Sequence, residues 1–565
     1  GWGLSRGPGC DQQVRQLSMV IDSAAATVMT KYDGRPGETA FLRCDISNLA
    51  HWVRPKADVL VIGVGGGRDI LSALEFKQRS VTGVEINNSI LRTVNQTYGN
   101  FTGHLDRIPN VHLVNAEARS YVARTPNKYD IIQVSLIDTW AATSAGAYAL
   151  SENGLYTTDA WKLFFERLKP GGVLSVSRWY SVLGTEPLET FRTVSLASEA
   201  LTKWGVKNPR DHILVYHGPT FGALASNVAT VLVSPQPFSP ADIARLDRET
   251  RRLDFPPVLT PTKAADKRFV GLAAPGGPGP EVARFREDIS PPTDNRPFFF
   301  QMATLKNLFG VGFGTSLTTQ STYTLAILSI VVIALALLCI GVPLLVRARQ
   351  VSHRGMAPYY LYFAAIGLAF LFVEISQLQR LSIYLGHPTA ALTVVLFSML
   401  LFSGIGSMLA EFFARGRQQA LLLVPLGLLI VTLIVFGFVA PAVVHRTTDQ
   451  TTPVRIAIAV ALLLPISLLM GMPFAIGMRA ASRRAGAPTA FLWGINGATS
   501  VCASVLGTTV SIFFGISTAF AAGVVAYALA FAALWYANRG HRETEAALIP
   551  TFEPEAVREP TLEPA

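Results

Sequence analysis

The chain has 565 residues, long enough for several domains; half of them are hydrophobic and only 15% are charged. A mean hydropathy of +0.36 excludes an ordinary soluble protein and points to a membrane part. The formal charge of +10 does not indicate nucleic acid, because many of the basic residues sit between apolar segments, where membrane topology explains them. Four cysteines, none in a CxxC spacing, supply no metal framework. Cys339 and Cys502 fall in apolar segments, whereas Cys10 and Cys44 can pair if their domain faces an oxidising compartment. The chain begins at Gly1 without an initiator Met, so a longer parent protein is expected.

In chain order, residues 16–22 and 25–32 read as a β-hairpin. Residues 58–62 (Asp-Val-Leu-Val-Ile) are a short β-branched run expected as a buried parallel strand. Gly63, Gly65, Gly66 and Gly67 form the turn after it, and a helix follows from Asp69. Glycine suits that turn because a Cβ would block a ligand's approach to the backbone and resist positive φ. A second strand, 81–85, ends in Glu85, an acid placed to accept from ribose hydroxyls. Together these make a nucleoside-binding βαβ unit; the alternative is a tight loop beside a surface Glu.

Strands at 111–115 and 129–134, a helix at 161–168 and, after a Pro-Gly-Gly turn, a strand at 173–177 continue the alternation. Such alternation implies a doubly wound parallel sheet with ligand at the carboxyl ends of the strands. A helix at 189–204, strands at 212–216 and 229–234, and a Ser-capped helix at 239–252 complete the soluble part. The expected division is an N-terminal hairpin region (1–55), a nucleoside-binding domain (56–235), an irregular Pro/Gly-rich connector (236–320), a helical membrane domain (321–538) and a disordered tail (539–565) rich in Glu and Pro. Seven apolar spans are read near 323–346, 358–379, 389–413, 420–444, 456–478, 490–512 and 516–537. Each has roughly the 20 residues that cross a bilayer core.

These residues resemble the spermidine synthase (polyamine aminopropyltransferase) family, within the class I S-adenosylmethionine-dependent transferases. Over the whole chain they resemble bacterial membrane proteins that fuse such a domain to transmembrane helices. The soluble likeness covers about 16–235; Val373-Glu-Ile-Ser-Gln-Leu-Gln-Arg380, Leu385-Gly-His-Pro388 and Trp493-Gly-Ile-Asn-Gly497 carry it in the membrane half. The resemblance implies a Rossmann-like α/β domain followed by an all-α polytopic membrane domain, with S-adenosylmethionine or its decarboxylated form as co-substrate. It assigns Gly63, Gly65 and Gly67 to the glycine turn, Glu85 to the ribose, and Glu117 to the adenine amino group, where the family has Asp. In place of the family's Asp inside the turn stands Gly66, and in its Asp-x-x-Asp pattern the first acid is Ser135 while Asp138 remains. An attacking amine must lose a proton, which an unassisted serine cannot accept. Putrescine is therefore not the expected acceptor, and Asp138 is the candidate base or orienting anion, the alternative being a turn-capping carboxylate. Trp140 and Tyr148, in the loop that follows, either face the sulfonium end of the ligand or pack a lid or the membrane surface.

In the membrane half, Glu374, Gln377, Gln379 and Arg380 read either as a polar site or as an interhelical network, and Asn496 has the same two readings. Small residues around it, such as Gly494, Gly497 and Ala498, predict close helix contact. The boundaries near 347–354, 415–417, 479–484 and 539–542 hold ten arginines, and the alternate set holds Lys306, Arg380, Arg446 and Arg455. The positive-inside rule puts the first set in the cytoplasm. With seven spans the soluble domain then lies outside, where S-adenosylmethionine is not expected. A miscounted span, missing N-terminal helices, a re-entrant segment at 298–313 or a domain without that ligand would each remove the conflict. The expected function is a transferase in the cell inner membrane; the alternative is an inactive scaffold subunit, and a transporter is a third. Expected partners are the bilayer and a small acceptor or other membrane subunits, not nucleic acid, with self-association left open.

Overall fold

The computed structural model describes residues 3–21, 25–35, 37–137, 153–181, 185–220, 227–305, 317–348, 353, 355–386, 388–414, 422–483 and 488–547. The hairpin forms as read, β1 (Gln16–Ile21) pairing antiparallel with β2 (Ala25–Thr30). Ten strands are described; the other eight form one sheet. They are β3 (Asp58–Ile62), β4 (Ser80–Glu85), β5 (Val111–Asn115), β6 (Tyr129–Ser135), β7 (Leu168–Ser181), β8 (Ile213–His217), β9 (Asn227–Val233) and β10 (Pro257–Leu259), in the order β10-β8-β9-β7-β6-β3-β4-β5. The five strands from β5 to β7 are parallel, as the alternation predicts. The expectation of a parallel sheet needs correcting at the other edge: β9, β8 and β10 run antiparallel, so the sheet is mixed.

β3 is apolar at nearly every position because both faces of a parallel sheet are covered. Leu60 and Ile62 enter one core with Val134, Trp161 and Phe191, while Val59 and Val61 enter the other with Phe41, Leu49 and Ile70. The Pro-Gly-Gly turn is absorbed into β7 as a register irregularity opposite Tyr129 and Ile131. Helices α1 (Leu49–Val53), α2 (Arg68–Glu75), α3 (Ala118–Arg124), α4 (Thr158–Glu166), α5 (Leu188–Trp204) and α6 (Pro240–Arg252) flank the sheet. Ser239 caps α6 in a capping box with Asp242, bearing out that start signal.

The stretch expected as a connector is stitched to the domain. β10 extends the sheet, Phe298–Phe300 are buried, and buried Arg192 donates to the carbonyls of Ser290 and Phe299. Cys10 and Cys44, both buried, form a disulfide.

Seven helices among the described residues are long and apolar enough to cross a membrane: Leu325–Arg347, Ala357–Leu385, Thr389–Glu411, Val424–Arg446, Thr452–Ser482, Thr489–Phe514 and Ile516–Arg539. Each coincides with a span read from the sequence. The second span is central, packing on the third, sixth and seventh. Asn496 donates to the Phe363 carbonyl at 3.0 Å, and a Cβ on Gly367 would lie 2.5 Å from Thr499 Oγ1, so this polar residue ties a close helix crossing. Arg380 reaches Ser517 Oγ on the seventh span at 3.3 Å.

The soluble domain rests on one face of the bundle. Arg455, at the start of the fifth span, donates to Ser120 Oγ at 2.8 Å and to the Tyr384 carbonyl at 2.6 Å. Arg296 donates to the Ile512 carbonyl, and Ile516 N donates to the Asn295 carbonyl. These contacts lie at the span ends opposite the arginine-rich boundaries. Residues 306–316, most of the re-entrant candidate, lie outside the described residues.

Candidate functional site

The strand order reverses between β3 and β6, since the chain runs outward from β3 to β4 and β5 on one side and to β6 and β7 on the other. Carboxyl ends of strands diverge at such a point and leave a crevice. A cavity of about 380 Å³ opens there, lined by Gly63, Gly65, Glu85, Glu117, Asp69 and Ser135 among others.

The glycine turn accounts for one wall. Gly63, Gly65 and Gly67 have φ of +82°, +50° and +88°, which L side chains rarely adopt. Gly65 N donates to Glu85 Oε2 at 3.2 Å, and Asn87 N donates to Glu85 Oε1 at 3.0 Å, so two amides hold the carboxylate at the end of β4. Glu117 caps α3: its Oε1 accepts from Arg119 N at 2.8 Å, and its Oε2 from Ser120 N at 2.7 Å and Ser120 Oγ at 2.5 Å. Oε2 is thus fully engaged and Oε1 keeps a free acceptor position. Five of the six sequence-assigned residues (Gly63, Gly65, Gly67, Glu85, Glu117) cluster at this turn and the neighbouring strand ends. The sixth, Asp138, and the aromatic pair Trp140 and Tyr148 lie outside the described residues.

Membrane helices brace this end of the cavity. Gly386, in the left-handed conformation after the second span, lies so close that a Cβ there would stand 2.8 Å from Glu117 Oε2. Arg455, 2% exposed, approaches the same carboxylate through Ser120.

Gly66 has a separate reason to be glycine. The β2 backbone crosses it, with Val28 O 2.1 Å from where a Cβ would be, and Gly66 N donates to Thr27 Oγ1 at 3.1 Å. The hairpin therefore occupies the space into which an acid at position 66 would project.

The other end of the cavity contains residues that sequence reading passed over. Asp45, ahead of α1, pairs with Arg68, with Nε at 2.8 Å and Nη2 at 2.5 Å from Oδ2, while its Oδ1 accepts from Ser47 N at 3.0 Å. Asp69, in the first turn of α2, is 6% exposed and faces the Ser135 hydroxyl. Burial pushes its carboxyl up to about 7, Asp45 adding to the rise while Ser135 and Arg68 oppose it. Ser135 is oriented by a buried chain of amides. Ala57 N donates to Gln78 Oε1 at 2.5 Å, which turns Gln78 Nε2 towards His51 Nδ1 at 3.0 Å. His51 must then donate from Nε2 to Gln133 Oε1, at 2.9 Å, and Gln133 Nε2 donates to Ser135 Oγ at 3.2 Å. Gln133 Nε2 also reaches Ser47 O at 3.4 Å and Asn48 Oδ1 at 3.3 Å. Burial holds His51 neutral, lowered to about 4. The available sequence signal was an acid in the first turn after a glycine bend; its pairing with Ser135 is a contact of the fold.

Residues 43–188 match the family described as the spermine/spermidine synthase domain. Among curated proteins, polyamine aminopropyltransferase 2 of Pseudomonas aeruginosa is 27% identical over 122 residues, 21% of this chain and 32% of that protein. The polyamine aminopropyltransferase of Korarchaeum cryptofilum is 26% identical over 116 residues, 20% of this chain and 33% of that protein. The chain thus spans about a third of the length of these relatives. Among solved structures, spermidine synthase from Thermotoga maritima aligns at 16% identity with a TM-score of 0.28, covering 50% of this chain and 95% of that one. Human methyltransferase-like protein 13 in complex with SAH aligns at 17% identity with a TM-score of 0.24, covering 37% and 90%. The chain carries a spermine/spermidine synthase-like domain of Rossmann-like α/β fold, joined to seven helices long and apolar enough to span a membrane.

Proposed function

We propose that this protein is a membrane-anchored transferase that binds S-adenosylmethionine or decarboxylated S-adenosylmethionine and passes a carbon group from its sulfonium to an acceptor other than putrescine. The observation that carries this reading is the meeting of the Gly63–Gly67 turn, Glu85 and Glu117 around one cavity at the sheet's point of reversal. In this reading Glu85 receives the ribose hydroxyls and Glu117 Oε1 the adenine amino group, and Ile62, Val64, Ile86 and Ile137 supply apolar lining in the same cavity. Bound there, the sulfonium supplies an electrophilic carbon; the protein's part is to orient it, exclude water and receive the acceptor's proton. Putrescine is disfavoured because position 66 is filled by the hairpin backbone and position 135 is a serine. Asp138, which the family pattern retains, is proposed to orient the acceptor.

A second reading, a binding or scaffold subunit without turnover, is favoured by the sidedness of the molecule. The domain rests on the span ends away from the arginine-rich boundaries and contains the Cys10–Cys44 disulfide, as expected of the non-cytoplasmic face of a bacterial inner membrane. Calorimetric titration of both sulfonium nucleosides into the full-length chain in lipid nanodiscs separates the two. Binding supports the transferase, and no binding by either leaves the scaffold.

A further inference from the structure

The acceptor end of the cavity has an ordered hydrogen-bond chain that the nucleoside reading does not use. It starts at a backbone amide, passes through Gln78, His51 and Gln133, and ends at Ser135, which faces Asp69. Three buried side chains held in one donor-to-acceptor sense orient the half-buried Ser135 beside a carboxylate that lines the cavity. Resting on the transferase reading, we propose that Asp69 is the proton acceptor for an incoming amine, taking over the task of the acid missing at position 135.

The geometry supports this. Asp69 and Ser135 line the same cavity as Glu85, so a donor bound at Glu85 places its sulfonium side towards them. Among the described residues lining this end, the carboxylates are Asp45 and Asp69. Asp45 is committed to Arg68 and to Ser47 N, so Asp69 is the one of the two left for an incoming amine. The groups facing Asp69 are Asp45 and Ser135 from other elements and Arg68 on its own helix. Together they keep it basic enough to take a proton near neutral pH. In the transfer step the amine nitrogen forms a bond to the carbon attached to sulfur. The carbon–sulfur bond breaks, its electron pair stays on sulfur to give a neutral thioether nucleoside, and the amine proton passes to Asp69 and then to water.

The test uses the full-length chain in nanodiscs, saturated with methylthioadenosine and titrated with n-butylamine. Asp69→Asn is expected to weaken butylamine by about tenfold with methylthioadenosine affinity unchanged. With decarboxylated S-adenosylmethionine and butylamine, Asp69→Asn should slow thioether release by about 100-fold, and Asp138→Asn by less. Ser135→Ala should raise the apparent pKa of the rate profile, since it removes a donor to the carboxylate. The proposal is overturned if butylamine does not bind, if Asp69→Asn changes nothing, or if that variant loses the nucleoside too. It is also overturned if Asp138→Asn carries the larger loss. Failure of the wild type to bind methylthioadenosine instead overturns the nucleoside reading beneath it.

Discussion

At one end of the cavity Glu85 is held by two backbone amides and Glu117 by the first turn of the helix it caps; at the other, Asp69 is held by side chains gathered from β6, α1 and the turn before β4. The first end is built from local backbone geometry and leans on the membrane helices through Gly386 and Arg455. The second is built from long-range side-chain contacts and is covered by the N-terminal hairpin, which fills position 66. On the proposed reading, a glycine bend and a strand-terminal acid keep a nucleoside socket whatever surrounds them. A chamber made of side chains changes whenever one partner does, and the proposal moves its acid from β6 to α2.

The harshest way to break this contrast is to restore the missing acid. Gly66→Asp would drive its Cβ into the Val28 carbonyl, with no rotamer to relieve it, and should destabilise the protein by more than about 3 kcal/mol. Chemical denaturation measures this; unchanged stability would mean that the hairpin does not sit on the turn. Next in size is a pair of opposed titrations. Neutral, buried His51, lowered from 6.5 to about 4, makes stability rise with pH between those values, by roughly 3 kcal/mol. Asp69, raised from 3.8 to about 7, binds more protons folded than unfolded, so its contribution is lost as pH rises through that window, by roughly 4 kcal/mol. The two nearly cancel in the wild type. In Asp69→Asn the rise from His51 alone should emerge between pH 4 and 6.5 in urea midpoints, and a flat profile in that variant would remove His51 from the buried chain. Smaller is Arg455→Gln, which leaves Ser120 and the Tyr384 carbonyl without their donor and should cost about 2 kcal/mol. Its sharper signature is faster proteolysis between the domains and weaker nucleoside binding, with amine affinity untouched.

How much of this the sequence discloses follows the same division. β3, the glycine turn and Glu85 are legible because an apolar β-branched run, a bend requiring positive φ and an acid on the next strand are local signals. The seven spans are legible because length and hydropathy are local as well. The antiparallel edge was missed because β8 and β9 look alike in either direction until their pairing is set by the fold. Asp69 looked like an ordinary first-turn acid, since nothing near it in the chain shows that Ser135 and Asp45 will converge on it. The reason for glycine at position 66 lies in Val28, on β2 of the N-terminal hairpin, remote from it in the chain.

The most direct test of the central claim is calorimetric titration of S-adenosylmethionine and its decarboxylated form into the full-length chain and its Glu85→Ala variant. At least one is expected to bind the wild type, and removing the carboxylate at the end of β4 is expected to weaken it by roughly 100-fold. If neither nucleoside binds, or if Glu85→Ala binds as tightly as the wild type, the socket described here is not a nucleoside site.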